Sequence, residues 1–229
     1  MNMPSTFNQK RVLVTGATGF IGSHLVRKLV EMGAEVSIFT SSGKTERIRD
    51  IQDKVVIQKV DLTNCEQVQQ AVAQIQPSIV FHLASFVNPE REYEYIDKCL
   101  HANLNGTLNL FRALHGTKVE CIVNTGTCEE YGDGPTPFRE EQTPSPVSPY
   151  SASKVASTYF AQMMYKTFNM PIVTLRPFLT YGGGQEEGRL IPSLILRGLR
   201  KEPINVTKGE QTRDFIYVED VVDAYIRAS

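Results

Sequence analysis

The chain has 229 residues, 41% hydrophobic and 21% charged, with no tryptophan. Twenty-four basic side chains against twenty-five acidic ones leave a formal charge of −1, which excludes nucleic acid as the default partner. No apolar stretch approaches a membrane span, and MNMPSTFNQKR has no hydrophobic core behind its charges, so neither a membrane segment nor a signal peptide is expected.

The apolar run Arg11–Thr15 predicts a first strand, which leads directly into Gly16-Ala17-Thr18-Gly19-Phe20-Ile21-Gly22. A helix follows over Phe20–Met32, with Ile21, Leu25, Leu29 and Met32 on one face and Gly33 as its stop. Three glycines spaced GxxGxxG between a strand and a helix suit a dinucleotide. The first allows a sharp turn, the second lets backbone approach a pyrophosphate, and the third lets helix pack on strand. Gly16, Thr18, Gly19, Phe20, Ile21 and Gly22 are therefore the candidate phosphate contacts, with helix amides carrying the anion.

A second strand, Glu35–Thr40, ends in Thr40-Ser41-Ser42-Gly43-Lys44 with no carboxylate to repel a 2′-phosphate. Thr40 and Ser41, with Lys44 or Arg47 nearby, favour NADP over NAD, although hydroxyls that merely open a loop would leave NAD in place. After the third strand, Val55–Val60, Asp61 and Leu62 would flank the adenine, and Thr63-Asn64-Cys65-Glu66 fits a capping box opening a helix over Cys65–Gln74. The fourth strand, Ser78–Leu83, ends in His82-Leu83-Ala84-Ser85, where Leu83, Ala84 and Ser85 would run beneath the ribose and nicotinamide. His82 lies inside an apolar strand and reads as a hydrogen-bonded core histidine rather than a base.

A long helix is expected over Glu92–Leu114 and a fifth strand over Glu120–Thr125. Gly132–Pro149, with five prolines, reads as a surface loop over a ligand site. Ser148 and Pro149 supply an N-cap and a first-turn proline for a helix over Tyr150–Phe168. A sixth strand, Ile172–Arg176, a glycine-rich loop, Gly182–Gly188, and a helix over Arg189–Arg200 follow. This alternation predicts an α/β fold: a doubly wound, mainly parallel sheet of Rossmann type with helices on both faces.

Tyr150 and Lys154 stand one helical turn apart on one face. A phenol ionises near pH 10, so it serves as a general base only if its anion is stabilised, and a neighbouring ammonium does that. The Thr127 hydroxyl, just past the fifth strand, suits the same substrate oxygen. Cys65, Cys99, Cys121 and Cys128 stand singly, without metal-ligand spacing, which reads as reduced thiols in a cytoplasmic protein and no metal site.

With TGATGFIGSHL, HLAS, NLNGTLNL, TGTCEEYG, YSASK, LRPFLTYGGGQ and TRDFIYVEDVVDA in that order, the chain resembles the extended short-chain dehydrogenase/reductase family. The similarity is to its NAD(P)-dependent nucleotide-sugar epimerase and dehydratase branch. The resemblance implies Thr127, Tyr150 and Lys154 as a catalytic trio. It implies Asn103 as a supporting polar residue at the cofactor, and Arg213 on the pyrophosphate of a nucleoside-diphosphate sugar. It also implies oxidation of a sugar hydroxyl, usually at C4, followed by epimerisation or 4,6-dehydration. Glu129 falls where similar dehydratases carry the C5 base, while Cys128 and Leu179 depart from the pattern of relatives. A 4-keto-sugar reductase and a non-catalytic dinucleotide-binding regulator are the competing readings. Residues 1–176 would form the dinucleotide domain and 177–229 the start of a substrate region. The smaller C-terminal lobe of relatives would be largely missing, and the chain a fragment. A homodimer paired through Glu92–Leu114 and Tyr150–Phe168 is implied as well.

Overall fold

The computed structural model describes residues 7–88 and 90–229, so the first six residues of the segment read as lacking a leader lie outside it. Six strands carry the architecture: β1 Arg11–Thr15, β2 Glu35–Thr40, β3 Val56–Lys59, β4 Ile79–His82, β5 Cys121–Thr125 and β6 Ile172–Leu175. They form one parallel sheet in the order β3-β2-β1-β4-β5-β6. Val12 stands beside Val36 and Ile79, and Val14 beside Ile38 and Phe81. The fold is thus the doubly wound Rossmann type expected.

Alternate strand residues face opposite layers, and both layers are apolar, which is why the strands read as continuous hydrophobic runs. Val12, Val14, Phe81 and Val123 pack with Leu25 and Leu29 of α1 (Phe20–Glu31) and with Val222 and Tyr225 of α7 (Val218–Arg227). Leu13, Val80 and Ile122 pack on the other side with Val68 and Val72 of α2 (Cys65–Ile75), Leu110 and Phe111 of α4 (Gly106–Leu114) and Ala161 of α5 (Pro149–Phe168). Connections run outward from β1 in one direction and from β4 in the other. The crevice beyond their C-terminal ends is where such sheets bind ligands.

Four local expectations need correction. The helix expected over Glu92–Leu114 is not continuous. It consists of a 3-10 turn, Tyr93–Tyr95, the short α3, Ile96–Cys99, a π-helical stretch, Leu100–Asn105, and α4. The wider π turn is held by the Thr107 hydroxyl, which donates to the Asn103 carbonyl at 2.6 Å. The capping box at Thr63 gives way to a single cap one residue later, because Asn64 accepts from the Gln67 amide while the Thr63 hydroxyl donates to Asp61. The proline-rich loop does not cover the crevice. Its Phe138 stacks on Tyr131 at 4.9 Å and lines a separate cavity beside β6. Finally, β7 (Leu179–Tyr181) and β8 (Phe215–Tyr217) form a parallel pair too short to show in the hydrophobic pattern. Ser148 does cap α5, through the Ser151 amide at 3.0 Å, and α6 spans Leu190–Arg200.

Candidate active site

Gly16 makes the turn out of β1 at φ +72°, and a Cβ there would stand 2.5 Å from the Ala84 nitrogen and 2.6 Å from the Leu83 carbonyl carbon. A Cβ on Gly22 would overlap the Gly16 carbonyl oxygen. No side chain larger than hydrogen fits at either place, so β1, α1 and the loop after β4 converge on one point. Gly19 caps α1 without a side-chain hydrogen bond, and the first turn holds no acidic residue. No carboxylate competes with a phosphate for those amides.

From this turn a crevice of about 940 Å³ runs to the start of α5. Every residue singled out from the sequence as a contact lines it, except Lys44 and Asn103. Thr40, Ser41, Asp61 and Leu62 stand at one end, Leu83, Ala84 and Ser85 along the floor, and Thr127, Glu129, Tyr150 and Lys154 at the other end. Arg47 lines the end near Ser41, whereas Lys44 does not. Arg213 reaches the crevice while donating to the Thr212 carbonyl at 2.8 Å.

The other exception is Asn103. Its Oδ1 accepts from the Ser85 hydroxyl and the Phe86 amide, and its Nδ2 donates to the Phe86 carbonyl and the Ser153 hydroxyl, all between 2.7 and 3.1 Å. With its capacity spent inside the protein, Asn103 ties the floor loop to α5 and leaves no group for a ligand. His82 is likewise structural. Its Nδ1 meets the Thr15 hydroxyl at 2.7 Å and its Nε2 the Thr107 hydroxyl at 2.8 Å. Thr107 gives its own proton to the Asn103 carbonyl, so Nε2 carries the ring proton. Burial and the Lys154 charge hold this imidazole neutral, with its pKa lowered to about 3.

At the far end, Thr127 caps a short 3-10 turn, Cys128–Glu130. Its hydroxyl accepts from the Glu129 amide at 3.3 Å, which leaves its proton for another partner. Tyr150 and Lys154 are buried to 7% and 2% exposure, one turn apart on α5. Burial pushes the phenol up to about 12, with Glu129, Cys128 and Glu130 adding to the rise and the Thr127 hydroxyl opposing it. Desolvation is the largest influence on the phenol, so the lowering expected from Lys154 together with a cationic nicotinamide has to work against burial. Lys154 is itself lowered to about 8 by burial, against the pull of Glu130. Burial raises Glu129, with Arg189 and Arg91 opposing, and pushes the Cys128 thiol up to about 11, so Cys128 stays protonated at neutral pH.

A nicotinamide dinucleotide fits these residues. The uncapped turn suits its pyrophosphate. The Lys154 ammonium, buried at the crevice wall without a hydrogen bond or ion pair among the described residues, suits ribose hydroxyls. Sequence reasoning missed the opposite wall, where Phe178, Thr180, Gln185 and Arg189 line the crevice. Gln185 donates from Nε2 to the Thr180 carbonyl at 2.8 Å and holds its Oε1 buried without a partner among the described residues. The glycine-rich loop Gly182–Gly188 and the run LRPFLTYGGGQ were the signals for that wall.

A profile described as "NAD dependent epimerase/dehydratase family" matches residues 12–229. A dTDP-glucose 4,6-dehydratase of Neisseria gonorrhoeae is 32% identical over 234 residues, covering 94% of this chain and 68% of that protein. A UDP-glucose 4-epimerase of Mycolicibacterium smegmatis is 32% identical over 230 residues, covering 95% of this chain and 72% of that protein. Among solved structures, a UDP-N-acetylglucosamine 4-epimerase from Methanobrevibacter ruminantium, in complex with UDP-N-acetylmuramic acid, superposes with a TM-score of 0.86 at 30% identity, covering 96% of this chain and 73% of that one. The Thermus thermophilus UDP-glucose 4-epimerase in complex with NAD gives 0.82 at 32% identity, covering 95% and 73%.

Proposed function

Because the chain belongs to the NAD dependent epimerase/dehydratase family, we propose that it oxidises a nucleoside-diphosphate hexose at C4 and completes either 4-epimerisation or 4,6-dehydration. The observation that carries this is the meeting of Thr127, Tyr150 and Lys154 at one end of a crevice whose other end is the uncapped glycine turn. When bound, an oxidised nicotinamide dinucleotide supplies a hydride acceptor at the sugar carbon and a positive charge beside the phenol. Tyr150 takes the proton of the C4 hydroxyl, Thr127 donates to the same oxygen, and Lys154 holds the phenolate electrostatically. Arg213 meets the sugar-nucleotide pyrophosphate. The unpartnered Gln185 oxygen suits a hydroxyl donor of the substrate. Intact Thr127, Tyr150 and Lys154 argue against a purely regulatory role, and a 4-keto-sugar reductase would use the same trio in reverse.

The test is a panel of nucleoside-diphosphate hexoses given to the purified chain with NAD or NADP. Cofactor absorbance and product NMR are the readouts. Failure to bind either dinucleotide, or to convert any sugar, sinks the reading. NADP is the expected preference, because Ser41, Ser42 and Arg47 line the adenosine end without a carboxylate at the end of β2. Exposed Tyr159, Phe160, Tyr165 and Phe168 on α5 support a homodimer through that helix.

Dehydration requires a base for the C5 proton, made acidic by the adjacent ketone, and Glu129 has the place and the raised proton affinity for it. Glu129→Gln is expected to lower formation of a 4-keto-6-deoxy sugar by at least about a hundredfold. The initial burst of cofactor reduction should persist. Equal loss of both, or of neither, removes Glu129 from that role. Cys128 supports the epimerase alternative, since a thiol held protonated up to about 11 is a poor acid for expelling the C6 hydroxyl.

A further inference from the structure

Glu130 has no part in the roles above, yet it is fully buried and joins three elements of the site. Its Oε1 accepts from the Thr127 amide at 2.9 Å and from the Thr158 hydroxyl, one turn beyond Lys154 on α5, at 3.1 Å. Its Oε2 accepts from Nε of Arg176, just past β6, at 2.9 Å. Gly126 makes room for the fold-back, because a Cβ there would overlap Oε1 of Glu130 and stand 3.0 Å from the Arg176 side chain. From outside, Arg176 donates to the Tyr131 hydroxyl at 3.1 Å, and its guanidinium lies 5.1 Å from the centre of that ring. A carboxylate with this many donors has one available geometry, and it passes that geometry to Thr127.

We propose that Glu130 is a positioning residue: its reach sets the Thr127 hydroxyl against α5, and its charge sets the proton balance of the Tyr150–Lys154 pair. This rests on the roles assigned to Thr127, Tyr150 and Lys154. The titratable and charged groups around that pair are Cys128, Glu129 and Glu130 from the loop after β5, Arg176 after β6, the neutral His82 on β4, and Tyr225 on α7. The charge of Glu130 raises both Tyr150 and Lys154, so its removal lets both lose protons at lower pH.

Two variants separate reach from charge. Glu130→Asp keeps the charge and shortens the side chain. It should lower kcat by about tenfold, with the KM for the sugar and the limbs of the pH profile in place. Glu130→Gln keeps the reach and removes the charge, and both limbs of kcat/KM should move down by about one pH unit. If an amide opposite Arg176 prevents folding, the double variant Glu130→Gln/Arg176→Gln removes both charges and should show a smaller displacement in the same downward direction, because loss of the guanidinium acts in the opposite sense. A readout independent of turnover is near-ultraviolet phenolate absorbance, taken as the difference from the matching Tyr150→Phe protein. Tyr150 should ionise at lower pH in either Gln protein. Unmoved limbs and an unmoved phenolate titration would overturn the proposal. So would a lower kcat matched by equal losses of melting temperature and dinucleotide affinity. Should the parent convert no nucleotide sugar, the proposed function falls, while the absorbance difference still decides the role of Glu130's charge.

Discussion

Tyr150→Phe lowers turnover by about three to four orders of magnitude and leaves dinucleotide affinity within about twofold. The two halves of this expectation have separate causes. The phenol is the group placed to take the sugar hydroxyl's proton, and phenylalanine fills the same buried site at 7% exposure without an ionisable atom. In the function proposed here the dinucleotide is held by the glycine turn and Lys154, which the substitution does not touch. The pH profile carries the same information. Phenolate beside ammonium has the proton count of phenol beside neutral amine, a state that dominates in the unliganded chain between about 8 and about 12. Activity should therefore rise on the alkaline side of neutrality and fall at the upper limit, with both limbs drawn downward by a bound cationic ring. Steady-state kinetics with a converted sugar, alongside fluorescence titration of the reduced dinucleotide, reads both halves. Near-parental turnover by the Phe protein would remove Tyr150 from the chemistry.

The six-stranded sheet was legible because parallel strands buried on both faces leave uninterrupted apolar runs, as in Val12-Leu13-Val14 and Ile79-Val80-Phe81. The dinucleotide turn was legible because only glycine fits at Gly16 and Gly22, and a steric requirement of that kind shows in a single sequence. Other features have no such local signature. The π turn at Leu100–Asn105 depends on a threonine one turn on and on the loop after β4 that Asn103 grips, contacts remote from its own helical periodicity. The proline-rich loop was placed over the crevice on composition. Prolines fix chain stiffness, not direction, and Phe138, stacked on Tyr131, lines a separate cavity beside β6. Glu130 escaped notice for a related reason. Two adjacent glutamates look alike in sequence, and only the fold sends one into the crevice and the other under Thr127.

Lys154→Met should stabilise the protein while removing at least about a hundredfold of its turnover. The ammonium is 2% exposed, and among the described residues its one compensating charge is that of Glu130, already engaged by Arg176. A folded value of about 8 against the ordinary lysine value of 10.5 means that the folded chain gives up this proton before the unfolded chain does. The unfolded state therefore binds more protons between those limits, and stability rises with pH across that window. Below it, the buried charge costs folding up to about 3 kcal/mol. Methionine has similar length and no charge, so it recovers most of that cost, worth a rise of several degrees in Tm. It should also abolish the alkaline rise in stability expected of the parent. Turnover falls because the phenolate then loses its counter-charge in a site where burial already opposes ionisation. Thermal melts of both proteins at neutral pH and near pH 10 test this directly. A Met protein that melts lower than its parent, or keeps the parent's pH slope, would show that Lys154 is not carried as a costly charge. A buried cation that weakens the fold is kept for what it does to its neighbours, and here the neighbour one turn away is Tyr150.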